Sequence, residues 1–79
     1  MSVQTKVLEI IATVIKQPLN ALNADSGLSV TDNWDSLNHT LIVLELEEAF
    51  DIGFDFDELE KIITVSAIVK SLESKGVTA

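Results

Sequence analysis

The sequence predicts an all-α fold: a small four-helix bundle, three main helices plus one short helix, with a long first loop. Three observations predict it. Apolar residues recur at helical spacing in three segments. No segment shows the apolar–polar alternation of a half-buried strand, and no repeat is present. Turn formers concentrate in one stretch, residues 18–35, while later connections are short. That distribution fits an antiparallel bundle with one crossover connection.

In chain order, Ser2 can cap a first helix. Val3, Val7, Ile10, Ile11 and Val14 then share one face, which Leu8 and Ile15 widen. So broad a stripe fits a helix flanked by two others. Pro18 limits this helix, because the residue before a proline is pushed out of the α region. Residues 18–35 read as a connection rich in Asn, Asp, Ser and Gly. Leu19, Leu22, Leu28 and Val30 are expected to pin it to the core, and Trp34 to close it by packing where loop meets helix.

The second helix is expected over Ser36 to Phe50, capped by Asp35 or Ser36. At 100° per residue, His39, Ile42, Val43, Leu46 and Phe50 face inward, while Leu37, Leu41, Leu44 and Glu48 fall on the opposite side. A domain this small cannot bury both faces. The Leu37–Leu41–Leu44 stripe, edged by Glu45, Glu47 and Glu48, therefore reads as a partner-facing surface. Gly53 marks the turn after this helix. Asp55 or Asp57 opens a short third helix running to about Ile62. Thr64 caps a fourth, with Val65, Ile68, Val69 and Leu72 on one face and Gly76 at its end.

Composition narrows the function. Seventy-nine residues are expected to form a single domain, 1–79, with little room for a deep catalytic cleft. Cysteine is absent, which excludes disulfides and thiolate metal sites. Residues 1–33 hold Lys6 and Lys16 against Glu9, Asp25 and Asp32, a net of −1. Residues 34–79 hold Lys61, Lys70 and Lys75 against ten acids, a net of −7. The field of that second part repels nucleic acid and anionic membrane and attracts basic protein patches. No stretch approaches the ~18 apolar residues of a membrane span. A monomer of cytoplasmic location is the expectation.

Ser36 is the residue of chemical interest. At a helix start its hydroxyl is exposed, and the positive end of the helix dipole favours a phosphate group there. A hydrolase reading of Asp35, Ser36 and His39 fails, since no oxyanion hole or nucleophile elbow accompanies them and His39 points inward. A calcium loop from Asp51 would need Gly where Phe56 stands and Glu where Ile62 stands, so no metal site is expected. What remains is a serine to be modified by another enzyme, beside a surface for docking.

Three stretches carry a resemblance to the acyl carrier proteins. They are Asp35-Ser36-Leu37, Leu46-Glu47-Glu48-x-Phe50-Asp51-Ile52 and Ile63-Thr64-Val65. Asp-Ser-Leu alone is common; combined with length, acidity and helix order it is specific. The resemblance covers nearly the whole chain. It implies an acyl-carrier-protein-like bundle with 4′-phosphopantetheine on Ser36, whose terminal thiol holds acyl groups as thioesters. It also implies that Asp35 and Leu37 help a phosphopantetheinyl transferase recognise the site. Glu47 and Glu48 would meet basic docking patches on acyl-transferring and synthase enzymes. Ile42, Leu46, Phe54, Leu59, Ile62 and Ile68 are available to line an acyl pocket.

The chain departs from the fatty-acid-synthesis pattern at Trp34, where a small residue is frequent, and at Asn38 and Leu41, where acids are usual. Fewer charges weaken electrostatic docking, which points to a specialised polyketide or lipid-modifying pathway. Two readings compete: an aminoacyl or peptidyl carrier loaded by an adenylating enzyme, and a cofactor-free interaction module docking through Leu37, Leu41 and Leu44.

Overall fold

The computed structural model describes residues 3–77. Four α-helices follow one another: α1 Val3–Ile15, α2 Ser36–Phe50, α3 Phe56–Leu59 and α4 Val65–Ser74, with a 3₁₀ turn at Leu19–Ala21. Among the described residues the only β-pairing is an isolated bridge between Gly27 and Thr64. The predicted helical bundle is therefore what forms. The predicted Ser2 cap lies outside the described residues.

α1 buries the row Val3, Val7, Ile11 and Ile15, one residue per turn. Leu8, Ile10, Ala12 and Val14 flank that row half-buried, because both α2 and α4 pack against α1. Ile42, Val43 and Leu46 of α2 and Val65, Ile68 and Leu72 of α4 complete the core with Ile62 and Trp34. α1 ends before Pro18: Lys16 turns left-handed at φ 58°, and the Gln17 N–H donates to the Ala12 carbonyl at 3.1 Å. α2 and α4 close in the same way. At the end of α4, Gly76 has φ 89°, and the Val77 N–H donates to the Leu72 carbonyl at 3.0 Å. At the end of α2 the left-handed residue is Asp51, φ 53°, with the Ile52 N–H on the Glu47 carbonyl at 3.1 Å. Gly53 lies in the segment that follows, as expected, and aspartate tolerates the left-handed region well enough to end the helix itself.

The long connection is held by its backbone more than by its leucines. Leu22 is buried and Leu28 half-buried, but Leu19 and Val30 are 46% and 78% exposed, contrary to expectation. The reason is local. Val30 and Thr31 both donate their N–H groups to the Gly27 carbonyl, a tight turn that throws the Val30 side chain outward. Anchoring comes instead from strand-like bonds to the start of α4. Leu28 N–H donates to Ile63 O at 2.8 Å, Val65 N–H to Ser26 O at 3.0 Å and Ser66 N–H to Ala24 O at 3.1 Å. Gly27 sits at the closest approach, where a Cβ would lie 2.5 Å from the Ile63 carbonyl oxygen.

Short α3 is tied to α4 through the Glu58 carboxylate. Glu58 accepts from the Asp55 N–H at 2.9 Å, from Ser71 Oγ at 2.7 Å and from Lys75 Nζ at 2.6 Å. Lys75 also lies 5.6 Å from the centre of the Phe54 ring. The Lys75 ammonium, the Asp55 N–H and the Ser71 hydroxyl hold the Glu58 carboxyl down to about 2.

Two outcomes are expected. Gly27→Ala forces backbone apart at Ile63 and should lower stability by about 1–3 kcal/mol in denaturant titration, the usual range for overpacking. For Glu58 the folded carboxyl titrates below its ordinary value of 4.5, so its contribution is complete above that value and is lost as pH falls toward 2. Melting temperatures of the natural chain and Glu58→Gln should therefore differ at pH 7 and converge between pH 4.5 and 2. A constant difference across that window refutes the assignment.

Candidate functional site

The start of α2 is built by the residues just before it. Asp35 is the N-cap: its backbone is extended, and its Oδ1 accepts from the Asn38 N–H at 2.9 Å. The Asn38 side-chain amide donates back to the Asn33 carbonyl at 2.7 Å. Asn33, left-handed at φ 68°, donates its own amide to Ile15 O at the end of α1, 3.1 Å away. The chain entering α2 is thus tied to the end of α1. Asn38, which by sequence stands where an acid is usual, is engaged as a donor to the loop.

Ser36 is the first residue of α2, exposed, and among the described residues no hydrogen bond engages its hydroxyl. The first N–H groups of a helix lack intrahelical acceptors and carry the positive end of the dipole. The site therefore offers a free hydroxyl nucleophile where an attached phosphate is electrostatically favoured.

Trp34 is buried to 1% exposure, as a packing residue should be. Its indole N–H donates to His39 Nδ1 at 2.9 Å, and the rings stack with centroids 6.0 Å apart. His39 Nδ1 is therefore occupied and cannot serve Ser36 as a base. Burial lowers the pKa of the imidazole, and its Nε2 is enclosed without a partner among the described residues.

The outward stripe is real: Leu37, Leu41 and Leu44 are 72%, 44% and 56% exposed. Glu45 and Glu48 are exposed beside it. Glu47 is placed differently. It is half-buried, and its Oε2 accepts from the Phe54 N–H at 2.9 Å, strapping the segment after α2 onto that helix. Leu41 and Glu45 also form one wall of a hollow of about 440 Å³ against Ile10 and Val14 of α1. Phe56, at the start of α3, is 80% exposed, a feature that sequence reasoning passed over.

An apolar cavity of about 310 Å³ opens between α2 and α3, lined by His39, Thr40, Val43, Leu44, Glu47, Phe54 and Leu59. Of the six residues named from sequence for a pocket, Phe54 and Leu59 line it. Ile42, Leu46, Ile62 and Ile68 are fully enclosed in the core. Val43 and Leu44 were missed as lining. The signal was present in the i, i+4 ladder His39–Val43–Glu47 and Thr40–Leu44, but it becomes legible only once α3 is known to lie against that edge.

Such a bundle, with an exposed serine displayed at a helix start, has the build of a carrier. Comparison with known proteins agrees. The family described as "Phosphopantetheine attachment site" matches residues 5–72. A protein named Acyl carrier protein from Desulforapulum autotrophicum is 36% identical over 78 residues, covering 96% of this chain and all of the relative. Another of that name from Prochlorococcus marinus is 32% identical over 76 residues, covering 91% of this chain and 95% of the relative.

The chain belongs to the phosphopantetheine-attachment family of acyl carrier proteins. It is a carrier and not an enzyme, and the group such a site takes is 4′-phosphopantetheine, which overturns the cofactor-free reading. Among the described residues no helix is long and apolar enough to cross a membrane.

The capping role of Asp35 is separable from its charge. Asp35→Ala should lower stability by about 1 kcal/mol, while Asp35→Asn, which still accepts from Asn38, should change it by a few tenths at most. Urea titration of both variants checks this; equal losses would show that the cap bond is not what Asp35 contributes.

Proposed function

We propose that Ser36 is the attachment residue and that residues 1–79 act as a single carrier domain. The domain presents acyl intermediates to enzymes of fatty-acid, polyketide or related specialised lipid biosynthesis. The supporting observation is the exposed, unengaged Ser36 hydroxyl at the start of a 15-residue helix. In the transfer step a bond forms between Ser36 Oγ and the phosphorus of coenzyme A's pantetheine phosphate. The phosphoanhydride bond to the nucleotide breaks, and the serine proton passes to solvent or a base of the transferase. Bound there, the cofactor supplies a terminal thiol that holds acyl groups as thioesters, which is how a cysteine-free chain can perform thiol chemistry.

This chain's own residues do the rest. Asp35 caps the helix that displays Ser36, and the N–H groups of its first turn favour the phosphodiester. Leu37, exposed beside Ser36, is the apolar contact for the phosphopantetheinyl transferase. Leu41, Leu44, Glu45 and Glu48 extend that surface toward basic patches on acyl-transferring and synthase enzymes. Glu47 is bound to Phe54, and its part in this surface is to hold the cavity wall. Val43, Leu44, Phe54 and Leu59 form the mouth of an acyl shelter, and the enclosed Ile42, Leu46, Ile62 and Ile68 are the side chains a longer acyl chain would have to displace. The carrier works as a cytoplasmic monomer, without nucleic acid or membrane insertion, and Trp34, Asn38 and Leu41 mark it for a specialised pathway.

The test is intact mass after incubation with coenzyme A and a broad-specificity phosphopantetheinyl transferase. The natural chain should gain one phosphopantetheine and Ser36→Ala none. A gain in both would move the attachment elsewhere, and no gain in folded natural chain would sink the proposal. The group then loaded, acyl or aminoacyl, separates a lipid carrier from an aminoacyl or peptidyl one.

A further inference from the structure

We propose that His39 is a positioning residue for Ser36, holding the modification site in register through Trp34 only while its imidazole is neutral. The inference rests on the assignment of Ser36 above. Trp34 is the last fully buried residue before the helix, separated from Ser36 by Asp35 alone. Its backbone is held on both sides, the N–H donating to Thr31 O at 3.1 Å and the carbonyl accepting from the Ser29 N–H at 3.0 Å. Its side chain makes one polar contact among the described residues, the 2.9 Å bond to His39 Nδ1. His39 stands one helical turn beyond Ser36, so indole and imidazole clamp the helix start between them.

The chemistry of the clamp depends on protonation. A neutral ring that accepts at Nδ1 carries its proton on Nε2. That Nε2 is buried without a partner among the described residues, so the neutral ring has little to lose on that side and depends on its bond to the indole. Adding a proton converts Nδ1 to a second donor facing the indole N–H. The bond is lost, two donors oppose each other, and a charge is left in an apolar site. The pair and the imidazolium are mutually exclusive.

Glu47 lines the same cavity as His39, but among the described residues no carboxylate is hydrogen-bonded to the ring. Asp35 is turned to the Asn38 N–H, Glu47 to the Phe54 N–H and Glu58 to Lys75. Asp57 on α3, Glu60 just after it and Lys16 at the end of α1 are exposed, and none of them is hydrogen-bonded to the ring. Burial accordingly disfavours the charged ring. Acid should release Trp34 and loosen the approach to Ser36.

Trp34 is the sole tryptophan, so its emission reports the clamp directly. Emission is followed from pH 8 to 4.5 for the natural chain, His39→Gln and His39→Leu, with circular dichroism to confirm that each is folded. Glutamine keeps an acceptor but does not titrate; leucine removes both. The natural chain should show a step with its midpoint below 6.5, His39→Gln no step, and His39→Leu an emission already displaced at pH 8. Transfer to Ser36, read by mass, should fall relative to His39→Gln by up to roughly tenfold for each unit below that midpoint, a ratio in which the transferase's own pH dependence cancels.

Identical emission profiles in the natural chain and His39→Gln would overturn the clamp. A step in emission with a constant transfer ratio would overturn its link to Ser36. Absence of transfer to every folded protein at pH 8 would instead overturn the assignment of Ser36, and this role with it.

Discussion

Both of the other long helices rest on the row Val3, Val7, Ile11 and Ile15 of α1. One i, i+4 ladder of β-branched side chains is the floor of the whole molecule, and its neighbours Leu8, Ile10, Ala12 and Val14 widen it enough to meet two partners at once. With so few residues there is no second layer. The long helices are placed by how they reach that floor, and short α3 is tied to the end of α4 instead.

The connection from α1 to α2 shows the consequence. It has little apolar material to spend on its own packing, so it borrows a strand edge from the residues before α4 and ties its end to α1 through Asn33. Trp34 then joins the buried core where the loop meets α2, bonded to His39. The site at Ser36 is therefore positioned by contacts from α1, α2 and the start of α4. An exposed hydroxyl is displayed there at the helix start, and the reactive thiol is supplied from outside the chain.

The same economy shapes the cavity beside α2. A cavity of about 310 Å³ on the α2–α3 edge is walled by a helix of four residues, fastened by the Glu58–Lys75–Ser71 cluster and the Glu47 strap. A short helix held by a few polar bonds is the part of the bundle that can shift at least cost, because local stability follows buried apolar contacts and α3 has no fully buried residue. The four enclosed residues behind it belong to the stable core. Cavity and core thus lie side by side in one small bundle.

Much of this was determined by the sequence alone. Helical periodicity, the caps at Asp35 and Thr64, Gly76 beyond α4 and the double-faced pattern of α2 are local properties, set within a few residues of each position. They sufficed to place Ser36 at a helix start and Leu37, Leu41 and Leu44 in solvent. Tertiary structure alone decided which half-polar side chains turn inward. Glu47 looks like a docking position in one dimension and Asn38 like a missing acid, and in three they are bonded to Phe54 and Asn33. Val30 looks like an anchor and is exposed, and Trp34 and His39 are five residues apart with nothing in their spacing to announce a bond. Periodicity reports the direction of a side chain around its own helix axis. Whether that direction meets a neighbour, a backbone donor or water depends on where another segment has come to rest, and short-range pattern carries no record of that.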